Sequence, residues 1–314
     1  LHGDDRRQRQ MCIRDSDESN FWSKVGLLDG DPENRGSVPL KEENVERLDE
    51  YMRAFNQPVS RVSLEQGEYA NTGFTQWGAS GLAAAWAEEN TRESIFNAFR
   101  RKETFATTGT RIAVRFFGGY NLSSIDLNSE SLVSEAYQKG VTMGSDLLHN
   151  ENKIPEFLVW AQRDKNGAPL QRIQIIKGWI DNNSGRPKEK VFDVACSDGM
   201  QPDPITNRCP DNGARVNIND CSISTNVGSS ELKTVWKDPE FAPDDKTFYY
   251  VRVLENPTCR WSTWDAIKAG YKPREGLHET IQERAWSSPI WYIPEQSDVE
   301  VVPLGGTIQL RNID

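Results

Sequence analysis

Glu88 and Glu89 are adjacent carboxylates, and Arg92 follows them within the same polar stretch. They come directly after Leu82–Ala87, whose apolar character predicts a short buried strand, and Thr91 stands where it would cap a following helix. Carboxylates at the end of a strand can hold a metal, orient a ligand histidine or transfer a proton. In the alternative interpretation, these residues cap the helix and form an ion pair through Arg92, and no substrate is involved.

Thr107 and Thr108 form a second candidate site in the turn ATTGTR, where Gly109 follows them. Hydroxyl groups and backbone amides in a glycine-containing turn can bind a phosphate or another anion. The alternative is that this turn is only the linker between two domains.

The histidines do not form a metal motif. The chain has three of them, and none is spaced from another as metal ligands usually are: His2, His149 and His278. His149 and His278 lie in polar, turn-like surroundings, which favours solvated loop positions. The sequence therefore predicts no metal-ligand residues in this chain.

Four cysteines in the C-terminal half predict two disulfides. None belongs to a C-x-x-C pair, which argues against zinc, and the loops between them are rich in Pro, Asn, Asp and Gly. Four cysteines allow three pairings. We favour Cys196–Cys209, which closes one long loop after a strand, and Cys221–Cys259, which ties the next segment to the end of another strand. Cys12 would stay unpaired, and the disulfides indicate an oxidising compartment, periplasmic or extracellular.

Composition limits the classes of partner. The chain has 314 residues and a net charge of −10, so it suits about two domains and opposes binding to nucleic acid. No apolar run approaches the roughly 20 residues of a membrane-spanning helix. We therefore expect neither a nucleic-acid partner nor a membrane span.

The periodicity changes along the chain. Lys41–Asn56 predicts an amphipathic helix, and the order of strand, acidic loop and helix around residues 82–100 is typical of the last unit of an α/β barrel. After Gly109, alternating segments separated by turn-rich loops predict an antiparallel β-sandwich. These segments are Arg111–Phe117, Phe157–Gln162, Leu170–Trp179, Glu189–Ala195, Leu232–Trp236, Thr247–Leu254 and Trp286–Ile293.

Three segments resemble a known family. They are Gly81–Tyr120, FYYVRVLENPTCRWSTWDA and IQERAWSSPIWYIP. They resemble a bacterial domain-of-unknown-function family of secreted or periplasmic proteins, whose N-terminal halves look like PHP-type (polymerase and histidinol phosphatase) metal-dependent hydrolases. The resemblance covers residues 17–294.

The resemblance implies that this chain is the C-terminal portion of such a hydrolase. Residues 17–108 would be a partial α/β barrel, and residues 109–314 would be the disulfide-bearing sandwich. Glu88, Glu89 and Arg92 would border the catalytic pocket. The full-length protein would use a divalent metal and an activated water to cleave a small-molecule phosphoester or other ester. The histidine-rich metal motifs would lie in an N-terminal half that this chain lacks, so we expect it to be inactive as given.

Residues 1–16, LHGDDRRQRQMCIRDS, lack apolar periodicity, and their last six residues, MCIRDS, resemble translated sequencing adapter from metagenomic assemblies. We therefore interpret the segment as foreign or disordered. The alternative function is a non-catalytic β-sandwich that binds a glycan or a partner protein. Its aromatic platform would come from tryptophans that we otherwise assign to the core: Trp77, Trp86, Trp261, Trp264, Trp286 and Trp291.

Overall fold

The computed structural model of the chain describes residues 32–33, 35–54, 61–71, 81–151, 153–181 and 184–295. Cys12 and the segment 1–16 that was interpreted as foreign lie outside these residues. The described part contains four α-helices: α1 (Glu42–Ala54), α2 (Arg92–Arg100), α3 (Leu132–Lys139) and α4 (Trp261–Ala269). None of these helices is long and apolar enough to cross a membrane.

The larger sheet is built mainly from antiparallel strands in the order β10–β9–β12–β15–β4–β3. A further strand, β16, pairs with β12 and, in parallel, with β7. The strands are β3 (Leu82–Ala85), β4 (Thr104–Thr107), β7 (Asp146–Leu148), β9 (Leu170–Ile180), β10 (Pro187–Cys196), β12 (Thr247–Glu255), β15 (Arg284–Ser287) and β16 (Ile290–Ile293).

The smaller sheet is antiparallel and has the order β11–β8–β5–β6. Its strands are β5 (Ala113–Gly119), β6 (Gly140–Thr142), β8 (Glu156–Gln162) and β11 (Glu231–Lys237). Two short antiparallel pairs complete the described strands: β1 (Arg61–Leu64) with β2 (Gly67–Ala70), and β13 (Thr258–Cys259) with β14 (Thr280–Ile281).

The two sheets share one apolar core. Alternate residues of the long strands face each other across it, including Val114 and Val159 of the smaller sheet and Ile175 and Val251 of the larger sheet. The ring of Phe157 lies 4.3 Å from that of Tyr249, centroid to centroid, and so joins the sheets. The predicted antiparallel β architecture is confirmed, because period-two alternation matches a strand with one buried face.

The expected α/β barrel is not found in residues 82–107. Although α2 lies between β3 and β4, these two strands pair antiparallel, with Leu82 opposite Thr107. Successive strands of an α/β barrel would be parallel. β4 also pairs with β15, so residues 104–107 belong to the same sheet as residues 284–287. The pattern of strand, loop and helix was recognised correctly, but it carries no information about the direction in which the chain returns.

Residues 35–37 contact helix α4 and the segment that follows it, and Ala70 contacts the same segment, through polar groups that are largely buried. The Arg35 guanidinium donates to Asp265 Oδ2 at 2.9 Å, and the Ser37 hydroxyl donates to the same oxygen at 2.8 Å. The Arg274 guanidinium donates to the carbonyls of Gly36 at 2.7 Å and Ala70 at 3.0 Å. The predicted helix over residues 41–56 is confirmed as α1.

Candidate functional site

A pocket of about 50 Å³, partly open to solvent, lies where β12 ends. Glu255, the last residue of that strand, is in its wall, and the disulfide between Cys221 and Cys259 forms one side. Polar and aromatic side chains from four separate parts of the chain line the rest: Thr110, Asn166, Thr258, Trp264 and Glu283.

Glu255 is completely buried because of an irregularity at the end of β12. The pairing register with β9 shifts between Leu254 and Glu255, and both of these consecutive residues are buried. Glu255 Oε2 accepts a hydrogen bond from the Ala168 backbone N–H at 3.1 Å. Gly167 leaves room for the carboxyl, because a Cβ there would stand 2.7 Å from Glu255 Oε1.

Two polar atoms of the pocket wall are buried and have no hydrogen-bond partner. They are Glu255 Oε1 and the hydroxyl oxygen of Thr110. The Thr110 hydroxyl is close enough to Glu255 to favour its ionised form, although the two groups lack hydrogen-bond geometry. Leaving a buried polar atom unsatisfied costs about 1–3 kcal/mol, so such atoms mark places where a ligand or water can bind.

The electrostatics of the pocket favour a neutral Glu255. Burial raises the pKa of Glu255 well above its usual range, and the neighbouring charges of Glu283 and Asp164 raise it further. The hydrogen bond from Ala168 acts in the opposite direction. A protonated carboxyl both donates and accepts hydrogen bonds, whereas an ionised one only accepts.

The two threonines predicted to bind an anion lie next to this pocket, and both are buried. The Thr108 hydroxyl donates to Glu283 Oε2 and accepts from the Arg284 backbone N–H at 3.0 Å. The Thr107 hydroxyl donates to the Thr110 carbonyl at 2.5 Å. Both hydroxyl protons therefore have acceptors within the protein, and anion binding by this turn stays a prediction.

Glu88, Glu89 and Arg92 are exposed and do not line the pocket. Glu88 Oε2 accepts from the Ser94 hydroxyl at 2.9 Å, and its Oε1 pairs with Arg101 at 2.9 Å. Hydrogen bonds from its own backbone N–H and from Ser94 lower the pKa of Glu88.

The capping interpretation of this loop agrees with the local geometry, because the Thr91 hydroxyl accepts from the Ser94 backbone N–H at 3.3 Å. The ion pair is made by Arg101 rather than by Arg92. A catalytic role for Glu88, Glu89 and Arg92 stays a prediction.

A family model described as "Protein of unknown function (DUF3604)" matches residues 10–294. The chain belongs to the DUF3604 family. The match confirms the predicted membership of a domain-of-unknown-function family, and it begins inside the segment that was interpreted as foreign. Neither a curated protein sequence nor a solved structure matches the chain. The PHP-like relation and the hydrolase activity therefore remain inferences from the resemblance.

Both predicted disulfides are present in this DUF3604 chain. Cys196 is bonded to Cys209, thirteen residues away, and Cys221 is bonded to Cys259, thirty-eight residues away. The first closes the excursion that follows β10, and the second fixes a loop against β13 in the pocket wall. Paired disulfides are typical of proteins outside the cytoplasm.

The structure describes two histidines of this DUF3604 chain, and neither lines the pocket. His149 Nδ1 lies 2.7 Å from the Tyr292 hydroxyl, and His278 is exposed. Within the described ranges, no three His, Cys, Asp or Glu side chains come together as metal ligands.

Sequence reasoning missed Glu255 and Glu283. One signal was available for Glu255: it ends TFYYVRVLE, a strand whose alternate residues are buried, so an acid there stands at the edge of the core. Glu283 gave no comparable signal, because its proximity to Glu255 depends on the pairing of β12 with β15.

Proposed function

We propose that the described residues form a ligand-binding β-sandwich module, and that the Glu255 pocket takes a small hydroxyl-rich ligand such as a sugar unit. The observation that carries the proposal is Glu255 Oε1, which is fully buried in the pocket wall without a hydrogen-bond partner. Thr110 adds a second unsatisfied oxygen in the same wall.

The chemistry of the lining suits a sugar better than an anion. Sugar hydroxyls donate and accept hydrogen bonds, and so do a protonated Glu255, the Thr110 hydroxyl and the Asn166 amide. The half-buried ring of Trp264 offers an apolar surface for the C–H face of a sugar. The carboxyl of Glu283 would repel an anion.

Calorimetric titration with a panel of neutral monosaccharides and disaccharides tests this proposal. We expect binding by the unmodified chain and an affinity at least about tenfold lower in Glu255→Ala, since losing one hydrogen bond in a buried site costs about 1–3 kcal/mol. Trp264→Ala should also lower the affinity, because it removes the ring on which the sugar would stack. Glu88→Gln is the matched control, because that carboxylate is exposed and outside the pocket. No binding of any sugar, or equal affinities in all variants, would overturn the proposal.

We also propose, on separate support, that the protein is a secreted, PHP-like, metal-dependent hydrolase of a phosphoester or another ester. The support is the resemblance of residues 81–120, 248–266 and 281–294, together with disulfides that suit the periplasm or the exterior. The sandwich would then be an accessory module, and the metal ligands would lie outside the described residues.

An activity assay of this chain tests one consequence of the second proposal, namely that the metal ligands lie outside the described residues. We expect no turnover of generic phosphoesters or carboxylesters when Zn²⁺, Mn²⁺ or Fe²⁺ is added to the purified chain. Metal-dependent turnover that disappears in Glu88→Ala or Glu89→Ala would contradict this expectation and would make those carboxylates catalytic. Stoichiometric metal bound by the natural full-length gene product would support the hydrolase.

A further inference from the structure

Three arginines on neighbouring strands share one face of the larger sheet. Leu254 of β12 stands opposite Arg172 of β9 on one side and Arg284 of β15 on the other. Arg252, two residues before Leu254, stands opposite Trp286. Because paired residues, and residues two apart in a strand, point to the same side of a sheet, these side chains lie on one face.

That face is the outer one. Ile173, Ile175, Val251 and Val253, the intervening residues of β9 and β12, point into the core between the sheets. Arg172, Arg252 and Arg284 are half-buried, and the side chain of Arg172 is 24% exposed. We call these three arginines, together with Arg208, the arginine face.

The Cys196–Cys209 disulfide brings a fourth guanidinium to the arginine face. Arg208 precedes Cys209, and its Nη1 lies 3.3 Å from Asp193 Oδ1. Arg172 Nε lies 3.7 Å from the other oxygen of Asp193, which also accepts from the Cys209 backbone N–H at 2.8 Å. Asp193 is thus one carboxylate shared between two arginines.

Buried polar residues of the same sheet fix the position of Arg252 in the arginine face. Arg252 Nε donates to Gln174 Oε1 at 2.7 Å, and Gln174 Nε2 in turn donates to Asp193 Oδ1 at 2.6 Å. Both Gln174 and Asp193 are buried. A guanidinium fixed in this way loses less rotamer freedom when it binds a ligand.

Positive charge on the arginine face exceeds the negative charge around it. Asp193 acts on Arg172 and pairs with Arg208, and Glu189 acts on Arg252. Burial lowers the pKa of Arg172, and repulsion from Arg208 and Arg284 lowers it further. This concentration of positive charge occurs in a chain whose net charge is −10. An anionic ligand would relieve the repulsion.

We propose that the arginine face binds an acidic polysaccharide, through its carboxylate or sulfate groups. Arg binds such planar or multi-oxygen anions through two parallel hydrogen bonds. Trp286, half-buried beside Arg252, offers a ring for sugar stacking, which an acidic peptide would not need. This surface shares no residue with the Glu255 pocket, so the two proposals can fail separately.

The test is titration of the whole chain with polygalacturonate and with dextran sulfate, using neutral dextran as the control polymer. We expect binding of an acidic polymer that weakens with added salt. The triple variant Arg172→Gln, Arg252→Gln, Arg284→Gln should bind at least about thirtyfold more weakly, with a salt dependence reduced by about one unit of slope per arginine lost. Arg101→Gln is the matched control, because Arg101 is exposed and pairs with Glu88.

Additional variants test whether a loss of binding comes from misfolding, and additional ligands test whether something else occupies this face. The triple Arg→Lys variant keeps the charge, so it should fold and recover part of the affinity, while Trp286→Ala should weaken binding of the polymer without changing its salt slope. The proposal is overturned if the triple Gln variant binds as well as the unmodified chain, or if neutral dextran binds equally. Preferential binding of polyglutamate or duplex DNA, or self-association through this face in light scattering, would also overturn it.

Discussion

Glu88 and Glu255 are both carboxylates at the end of a strand or just beyond it, yet their surroundings are opposite. Glu88 is exposed, accepts a hydrogen bond from Ser94 and pairs with Arg101, and its pKa is lowered. Glu255 is fully buried, one of its oxygens has no partner, and its pKa is raised by burial and by Glu283. The fold therefore favours the ionised form of Glu88 and the protonated form of Glu255.

The difference shows what makes an acidic residue available for function. The Glu88 loop satisfies the backbone amides and the charge around the start of α2, so its groups are already engaged. The Glu255 carboxyl, in contrast, leaves one polar atom in the pocket wall without a hydrogen-bond partner. Perturbed pKa values together with a cavity are a better guide to a site than acidic residues in sequence.

The disulfide in the pocket wall should give the largest effect. Replacing Cys221 and Cys259 by Ser should lower the free energy of unfolding by about 4 kcal/mol, because the bond links residues thirty-eight apart. The same change at Cys196 and Cys209, thirteen apart, should cost about 3 kcal/mol. Urea unfolding of both double variants measures the difference. Losses below about 1 kcal/mol would show that the pocket wall is held by its packing instead.

Titration of Glu255 should give the next largest effect. Because its folded-state pKa is raised, the folded protein keeps a proton that the unfolded chain has already lost above about pH 4.3. Stability should therefore fall as the pH rises through this window, by up to roughly 1.4 kcal/mol per pH unit. Glu255→Gln should remove that component. Urea unfolding from about pH 4 to about pH 8 compares the two proteins, and parallel curves would mean that Glu255 titrates normally.

The helix cap beside Glu88 should give a smaller effect. Thr91→Ala removes the acceptor of the Ser94 backbone N–H, and the free energy of unfolding should fall by about 1 kcal/mol. Thr91→Ser keeps the hydroxyl and serves as the control, so it should be close to the unmodified chain. Equal losses in both variants would mean that the methyl group of Thr91, rather than its hydroxyl, stabilises the loop.

Glu88 itself should give the smallest effect. Glu88→Gln keeps the shape of the side chain and removes an exposed charge, so the Tm should change by less than about 2 °C. Differential scanning calorimetry measures it. A large fall in Tm would show that the ion pair with Arg101 is structural, and would erase the contrast with Glu255.

Local patterns were sufficient for several features of this protein. Helix α1, the alternating strands β9 and β12, the cap at Thr91 and both cysteine pairings were predicted, since each depends on neighbouring residues or on closing a loop near a strand. The α/β barrel was not confirmed, because parallel and antiparallel returns have the same signature in residues 82–107.

The candidate site was less predictable than the fold. Thr107 and Thr108 were singled out, and they do lie beside the pocket, but as hydrogen-bond donors to the protein itself. Glu255 and Glu283 are twenty-eight residues apart, and the antiparallel return of β15 onto β12 brings them together. The arginine face likewise takes one residue from each of three strands and a fourth, Arg208, from the loop that the Cys196–Cys209 disulfide closes.

The sequence by itself determined that this chain is an acidic, β-rich member of the DUF3604 family with two disulfides. Alternation, turn composition and cysteine spacing are local properties, so they can be recognised in the sequence without the tertiary structure. Only the tertiary structure decided which charges are buried and which are shared. A pKa depends on desolvation and on charges a few ångströms away, and the pairing of distant strands sets both for Glu255 and for the arginine face.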